Sequence, residues 1–227
     1  MKSGNIVLIG PTNSGKSSLV NKIMGQRVSL VSRKKQSTTF NQKVYKKFSE
    51  NEFIIQDTPG FFSSRKKINN NIISSPLAEI ETSDLIYVVV DISLRINNEY
   101  KKIINSLENK IEKQHVFLIL NKIDKVKKDK VLSAIKFYSK EKIFNEIFPI
   151  SSLTGEGVAN LIKFSKKFTI KTSIKSKPSS NIQIKKKLFY SEVTREKILD
   201  KIHREIPHQC DVVCLLYTSP SPRDPNR

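Results

Sequence analysis

The sequence predicts an α/β fold in which a mostly parallel sheet carries helices on both faces. The first observation is a short apolar run, residues 5–9, that meets a glycine-rich turn and then a helix-like segment. The second is a pair of nearly continuous apolar runs at 84–91 and 115–120, which is typical of strands buried on both faces. The third is the helical spacing of apolar residues at 97–112 and 128–140. In the second of these helices, the residues expected to face inward are Val131, Leu132, Ile135 and Tyr138. Strands that alternate with helices of this length predict parallel pairing.

The glycine-rich turn fills the pattern G-x-x-x-x-G-K-[ST] from Gly10 to Ser17. Its glycines let successive backbone N–H groups converge on a phosphate, and the helix that starts near Gly15 adds its positive N-terminal end. We expect Lys16 to reach the β- and γ-phosphates of a nucleotide and the Ser17 hydroxyl to bind Mg²⁺. The turn therefore predicts a P-loop NTPase, and together with the motifs described below it predicts a Ras-like G domain.

A polar segment without periodicity, residues 29–40, follows the first helix and is expected to form a switch loop. A nucleotide switch needs a hydroxyl that completes the Mg²⁺ shell only when the γ-phosphate is present. We assign this hydroxyl to Thr38, and the sequence leaves Ser37 and Thr39 open as alternatives.

Two further strands are expected at 41–50 and 52–56, and the second runs into the motif D-x-x-G, from Asp57 to Gly60. An acidic residue at the end of an apolar strand, with glycine three positions later, suits a carboxylate beside Mg²⁺ and a backbone N–H on the γ-phosphate. Ras-like proteins place a water-orienting glutamine after this glycine. Phe61 cannot hold a water molecule, so hydrolysis here must use another device or be slow.

Guanine specificity is predicted by the motif N-K-x-D at 121–124, which follows an apolar strand. The Asp124 carboxylate can accept hydrogen bonds from N1–H and the N2 amine of guanine, whereas N1 of adenine is itself an acceptor. Asn121 and Lys122 are expected to brace the base and the phosphate loop. A serine-rich turn at 151–153 can present a backbone N–H to guanine O6.

The formal net charge of +20 over 227 residues suggests attraction to a polyanion such as nucleic acid. Most of the 41 basic residues are lysine, however. An A/T-rich genome would produce the same excess of lysine on any solvated surface. Charge alone therefore leaves both interpretations open. No apolar stretch approaches about 18 residues, and the first strand begins too early for a secretory signal. We expect a cytoplasmic protein, with an organelle matrix as the alternative.

Beyond these motifs the chain resembles the bacterial Era GTPases, within the translation-factor-related class. The resemblance rests on MGQRVSLVSRKKQSTT at 24–39 and on REKILDKIHREIP at 195–207, which is similar to the helix that opens the RNA-binding KH domain of that family. It implies a GTPase that helps to assemble the small ribosomal subunit by binding the 3′ region of its ribosomal RNA. It also implies a hydrophobic residue after D-x-x-G, in agreement with Phe61, and a role for Asn13 in holding K⁺ near the β- and γ-phosphates. The family usually has an apolar residue where this chain has Ser14.

The motifs and the resemblance together assign the site residues. Lys16, Asn13, Thr38 and Gly60 are expected at the reacting phosphate, and Ser17, Thr38 and Asp57 at the Mg²⁺ ion. The full set of expected nucleotide contacts is Gly10, Asn13, Ser14, Gly15, Lys16, Ser17, Ser18, Asp57, Gly60, Asn121, Lys122, Asp124, Ser151, Ser152 and Leu153.

Four segments are expected along the chain. Residues 1–168 form the GTP-binding domain, 169–187 a basic linker, 188–213 the start of an α+β KH-type domain, and 214–227 a disordered tail without a family counterpart. No glycine lies beyond Gly157, so the G-x-x-G loop with which a KH domain clamps RNA is missing, and we expect an incomplete KH domain.

The expected partners are small-subunit ribosomal RNA and the small ribosomal subunit, bound weakly because the KH domain is incomplete. The chain is expected to be a monomer without a transmembrane segment, and peripheral membrane association is left open. The alternative is another GTPase of the same class that acts as a nucleotide-dependent binding switch, with little turnover and no role in RNA binding.

Overall fold

The computed structural model describes residues 2–29, 42–58, 76–94, 98–108, 110–111 and 113–169, together with the single residues 194, 198 and 212. The expected switch residues Thr38, Gly60 and Phe61 lie outside the described residues, as does most of the expected KH-type segment. Residues 1–180 and 181–227 form two separate compact units, and the elements with defined bounds all lie in the first unit.

One sheet contains the six strands of the described residues. The strands are β1 (Lys2–Ile9), β2 (Gln42–Phe48), β3 (Asn51–Asp57), β4 (Leu85–Asp91), β5 (His115–Asn121) and β6 (Glu146–Pro149). Their order across the sheet is β2-β3-β1-β4-β5-β6. β2 is antiparallel to β3, and the other neighbouring strands are parallel. The prediction of a mostly parallel sheet is therefore confirmed.

Helices connect the strands and cover both faces of the sheet. They are α1 (Lys16–Met24), α2 (Pro76–Glu81), α3 (Asn98–Glu108), α4 (Lys128–Tyr138) and α5 (Val158–Ser165), with short 3₁₀ turns at Ile123–Lys125 and Lys166–Phe168. Among the described residues, no helix is long and apolar enough to cross a membrane.

Two apolar cores lie on opposite faces of the sheet because successive side chains of a strand point in opposite directions. In β1, Ile6 and Leu8 join the core that includes Leu19 of α1 and Leu161 of α5. Residues 7 and 9 of the same strand join the other core, with α3 and α4. All of these β1 side chains are fully buried, and each contributes about 1.5–3 kcal/mol relative to an exposed position.

Helix α4 differs from its sequence-based prediction, which places Leu132 among its inward residues. The exposed fraction of Leu132 is 65%, whereas Tyr138 is buried and Val131 and Ile135 pack against the core. A helix turns about 100° per residue, so positions 131, 135 and 138 share one stripe and position 132 lies beside it. The sheet covers only that narrow stripe.

The parallel strands end at one edge of the sheet. β1 ends at Ile9, β3 at Asp57, β4 at Asp91 and β5 at Asn121. The loops that carry the predicted motifs follow directly from these ends, and this edge is where α/β sheets bind their ligands.

Candidate active site

The phosphate loop passes so close to its neighbours that two of its glycines cannot carry a side chain. A Cβ atom at Gly10 would lie 2.3 Å from the carbonyl oxygen of Val89 in β4. A Cβ atom at Gly15 would lie 2.2 Å from the side-chain amide nitrogen of Asn121, and Gly15 also has a positive φ of 99°. The loop is therefore held between the end of β4 and the side chain that ends β5.

Lys16 lies against the start of this loop. Its Nζ donates hydrogen bonds of 3.1 Å to the carbonyl of Gly10 and 2.9 Å to the carbonyl of Pro11. The side chain is buried although it begins α1, so its charge is concentrated at the loop. The lysine of a phosphate loop reaches the β- and γ-phosphates, and this role stays a prediction for Lys16. Ser18 follows in the first turn of α1 and is half-buried.

Asn121 connects the phosphate loop to the serine-rich turn. Its amide nitrogen donates a 2.8 Å hydrogen bond to the carbonyl of Ser14. Its Oδ1 accepts hydrogen bonds from the backbone N–H and the hydroxyl of Ser152, at 3.0 and 2.9 Å. Oδ1 also accepts a 2.8 Å bond from the backbone N–H of Lys122. Because Asn121 is almost fully buried, removing its side chain would leave several of these groups unsatisfied.

Lys122 makes a second connection to the phosphate loop. Its Nζ donates a 2.7 Å hydrogen bond to the carbonyl of Asn13 and lies 2.6 Å from Oδ2 of Asp91. Asn13 and Lys122 both have a left-handed backbone, with φ of 61° and 67°. Burial acts to raise the pKa of Asp91, but its hydrogen bonds from Lys122 and Ser93 and the charge of Lys122 lower it overall.

The predicted base-reading residues lie next to each other. The Ser151 hydroxyl donates a 2.5 Å hydrogen bond to Oδ1 of Asp124, which orients an otherwise exposed carboxylate. The Ser151 oxygen accepts a 3.1 Å bond from the backbone N–H of Thr154. Leu153, the last residue of this predicted set, is 76% exposed.

Asp57 is the residue that indicates a cation. It is fully buried at the end of β3, and neither carboxylate oxygen makes a hydrogen bond of ordinary geometry to another described residue. Burial is the largest influence on its pKa and raises it, although the hydroxyls of Ser17 and Ser29 and the charge of Lys16 act to lower it. A dehydrated carboxylate near a serine hydroxyl offers the hard oxygen ligands that Mg²⁺ prefers. The residues present therefore fit the expected metal.

Two residues near the site, Asp91 and Ser29, were not predicted there. Asp91 ends an apolar strand, as Asp57 does, and that pattern could have identified it. Ser29 is buried beside Asp57, and its backbone N–H and carbonyl are both bonded to the side chain of Asn21, at 2.7 and 2.6 Å. No sequence pattern indicates this contact. The hydroxyl of Ser14, a predicted nucleotide contact, is buried and has no hydrogen-bond partner among the described residues, and its contact with a nucleotide stays a prediction.

Comparison with known proteins identifies the family. Residues 5–122 match the profile of a protein family described as "50S ribosome-binding GTPase". GTPase Era of Clostridium beijerinckii is 35% identical to this chain over 208 residues, which are 91% of this chain and 69% of the relative. The chain belongs to the Era family of GTPases. Both the P-loop fold and the GTPase assignment are thereby confirmed.

Further Era proteins show the same relationship. GTPase Era of Clostridioides difficile is 33% identical, with coverage of 91% of this chain and 69% of the relative. A structure of Era in complex with MgGDPNP and nucleotides 1506–1542 of 16S ribosomal RNA is 26% identical, with a TM-score of 0.78 over 92% of this chain and 70% of that chain. An Era variant of Aquifex aeolicus bound to GDP and aluminium fluoride is 27% identical, with a TM-score of 0.79 over 91% of this chain and 70% of that chain. This Era-family chain thus spans about 70% of the length of these relatives.

Proposed function

We propose that this chain is a GTP-hydrolysing switch that binds small-subunit ribosomal RNA and assists assembly of the small ribosomal subunit. The observation that carries the proposal is the buried Asn121 side chain, which bonds both the phosphate loop at Ser14 and the base-side turn at Ser152. A nucleotide bound between these two segments would contact both of them. Guanine is favoured because Asp124, held by Ser151, can accept two hydrogen bonds from that base.

Mg²⁺ would be held by Asp57 and Ser17, with Thr38 joining in the GTP state. The ion would neutralise charge on the β- and γ-phosphates. Lys16 would neutralise further charge from the phosphate loop, and Gly60 would offer a backbone N–H to the γ-phosphate. Asn13 is proposed to hold K⁺, because Phe61 cannot orient a water molecule as a glutamine does.

The RNA role is supported by one relative and by charge. The solved Era complex with 16S ribosomal RNA covers 92% of this chain. A net charge of +20 suits a polyanionic partner. We propose that residues 1–168 form the nucleotide switch, and that a linker at 169–187, a KH-type segment at 188–213 and a tail at 214–227 follow it. A cytoplasmic location fits this role.

RNA binding in two nucleotide states tests the proposal. The full chain is loaded with GDPNP or GDP and titrated into fluorescein-labelled RNA of nucleotides 1506–1542, with KCl varied from about 50 to 200 mM. We expect tighter binding in the GDPNP state and a steep loss of affinity with salt, because lysine–phosphate contacts release counterions. If the chain hydrolyses GTP but binds no RNA at low salt in either state, the RNA role is wrong, and a switch with another partner remains.

A further inference from the structure

A groove lies on the face of the G domain that carries α1 and α5, and it reaches Gly155, which follows the base-side turn. It has a volume of about 410 Å³. Ile23 of α1 and Val158 and Ile162 of α5 contribute apolar side chains to its lining. We refer to it as the α1–α5 groove. It differs from the nucleotide site, whose expected contacts do not line it.

Lysines surround this groove. Lys22, Lys163 and Lys166 are among its nine lining residues, and none of the nine is acidic. Lys22 and Lys163 are exposed, and Lys166 is half-buried. An apolar floor whose rim carries only positive charges suits an anionic partner that also has flat apolar groups.

An aromatic ring lies at the edge of the groove, close to one groove lysine and to a lysine of β2 that does not line the groove. Phe48, which ends β2, is half-buried and packs edge-on against Phe53 at a centroid distance of 6.0 Å. The Nζ atoms of Lys166 and Lys46 lie 5.5 and 5.8 Å from the centroid of the Phe48 ring, which is within cation–π distance. A phosphate bound by Lys166 would therefore bring its attached base close to this ring.

Charge and shape favour one class of occupant. The chain's own segment at 170–187 contains lysines and no acidic residue, so like charges would repel it from the groove. A lipid surface is met by protruding apolar side chains, whereas the apolar side chains here line a recess. An acidic peptide would satisfy the lysines but would leave the role of the Phe48 ring unexplained. Single-stranded nucleic acid uses both features, a basic track for its backbone and an aromatic ring for its bases.

We propose that the α1–α5 groove binds a single-stranded segment of RNA, with phosphates on Lys163 and Lys166 and a base against Phe48. The inference rests on the proposed RNA role and adds a contact surface on the G domain. It places RNA on a face of the domain that is separate from the nucleotide site.

Matched pairs of variants test this surface in the full chain. Lys163→Gln/Lys166→Gln removes two groove charges, and Lys136→Gln/Lys140→Gln removes two exposed charges at the end of α4 on the opposite face. Lys22 is left intact because its Nζ lies 3.3 Å from the carbonyl of Leu153 in the base-side turn. Binding of a fluorescein-labelled oligouridylate is measured by anisotropy over a salt series.

The groove variant is expected to bind the oligouridylate about tenfold more weakly at low salt. Its salt slope should fall by about 1.4, the value for two lost phosphate contacts on a single strand. The α4 variant should change little, and GTP turnover should be unchanged in both. If oligouridylate binding were weakened equally in the two variants, the effect would come from overall charge, and the assignment of RNA to the groove would be wrong.

Phe48→Leu separates a base contact from charge alone, because it keeps an apolar side chain and every lysine. We expect about tenfold weaker oligouridylate binding, with the salt slope retained. Thermal unfolding checks that the variant is folded, and parental affinity in a folded variant would overturn the base contact. A labelled oligoglutamate that bound with the same lysine dependence, while oligouridylate did not bind, would assign the groove to an acidic peptide.

The failure of this inference can be distinguished from the failure of the proposed function. If the chain binds the 1506–1542 RNA and the groove variants bind it as the parent does, only the groove assignment is wrong. If the parent chain binds no RNA at low salt, the RNA role itself is wrong.

Discussion

The ammonium of Lys122 lies 2.6 Å from a carboxylate oxygen of Asp91, which ends the neighbouring strand of the sheet. The same ammonium bonds the carbonyl of Asn13 at 2.7 Å. The carboxylate of Asp91 is largely buried and also accepts two hydrogen bonds from Ser93. The end of β4 thus anchors the lysine of the N-K-x-D motif, and through it the phosphate loop.

This ion pair predicts a stability difference that depends on pH. The folded pKa of Asp91 is lowered, so its stabilisation is present above the unfolded pKa of about 3.9 and is lost as the pH falls through the folded pKa. Asp91→Asn should lower the Tm at pH 7 and pH 5, and the Tm difference from the parent should shrink below about pH 4. The Tm is measured by circular dichroism over this range. Asp129→Asn, at an exposed position of α4, is the control. A Tm difference that stayed constant down to about pH 3 would contradict the assignment.

Asp124→Asn is expected to change base preference from guanine to xanthine nucleotides. The amide can donate to the carbonyl at C2 of xanthine, and it cannot accept from guanine as the carboxylate does. A hydrogen bond to a charged group contributes about 1.5–3 kcal/mol, so GTP affinity should fall about ten- to hundredfold or more. Competition of GTP and XTP against a fluorescent GDP measures the change, and the parent chain is measured in parallel. Unchanged GTP affinity in the variant would show that Asp124 does not read the base.

Asp57→Asn is expected to stabilise the metal-free protein and to weaken Mg²⁺ binding. The folded pKa of Asp57 is raised, so its buried charge destabilises the metal-free protein at neutral pH. This penalty begins to shrink as the pH falls through the folded pKa, and it is gone below the unfolded pKa of about 3.9. The amide removes the charge at nearly constant volume, so the Tm in EDTA should rise. Mg²⁺ should no longer tighten GTP binding. These are followed by thermal unfolding in EDTA and by GTP titrations with and without Mg²⁺. A variant that keeps the full Mg²⁺ effect would place the metal elsewhere.

Hydrolysis is expected to depend on K⁺ through Asn13. A monovalent cation near the β- and γ-phosphates can neutralise charge that develops in the transition state, and the loss of one such contact costs about 2.7–4 kcal/mol, or about a hundred- to thousandfold in rate. The parent should therefore hydrolyse GTP much more slowly in Na⁺ than in K⁺. Asn13→Gly keeps the left-handed backbone at φ 61° without the side chain, so it should lose the K⁺ preference without added strain. Equal parental rates in matched K⁺ and Na⁺ buffers would remove the cation from the mechanism.

Much of the fold and site follows from local sequence. Residues 5–17 carry an apolar strand, a turn that needs two glycines and the start of a helix, so this unit was predicted with its position in the chain. The roles of Lys16 and Asp124 follow in the same way from their motifs and remain predictions. Helix α4 was also predicted, but the sequence placed Leu132 on its buried side, because a single helix does not show how much of its surface a sheet will cover.

Contacts between distant segments required the tertiary structure. Asp91 and Lys122 are separated by 31 positions and meet because β4 and β5 pair in parallel with Asp91 opposite Asn121. The buried position of Ser29 beside Asp57 depends on the path of residues 25–29, which brings Ser29 to the end of β3. The sequence by itself determined which residues can bind phosphate, metal and guanine, because those requirements lie in side-chain chemistry and short spacing. The strand order determined which acidic residue would anchor Lys122 and which lysines would share one groove, because parallel strands bring together residues that no local pattern connects.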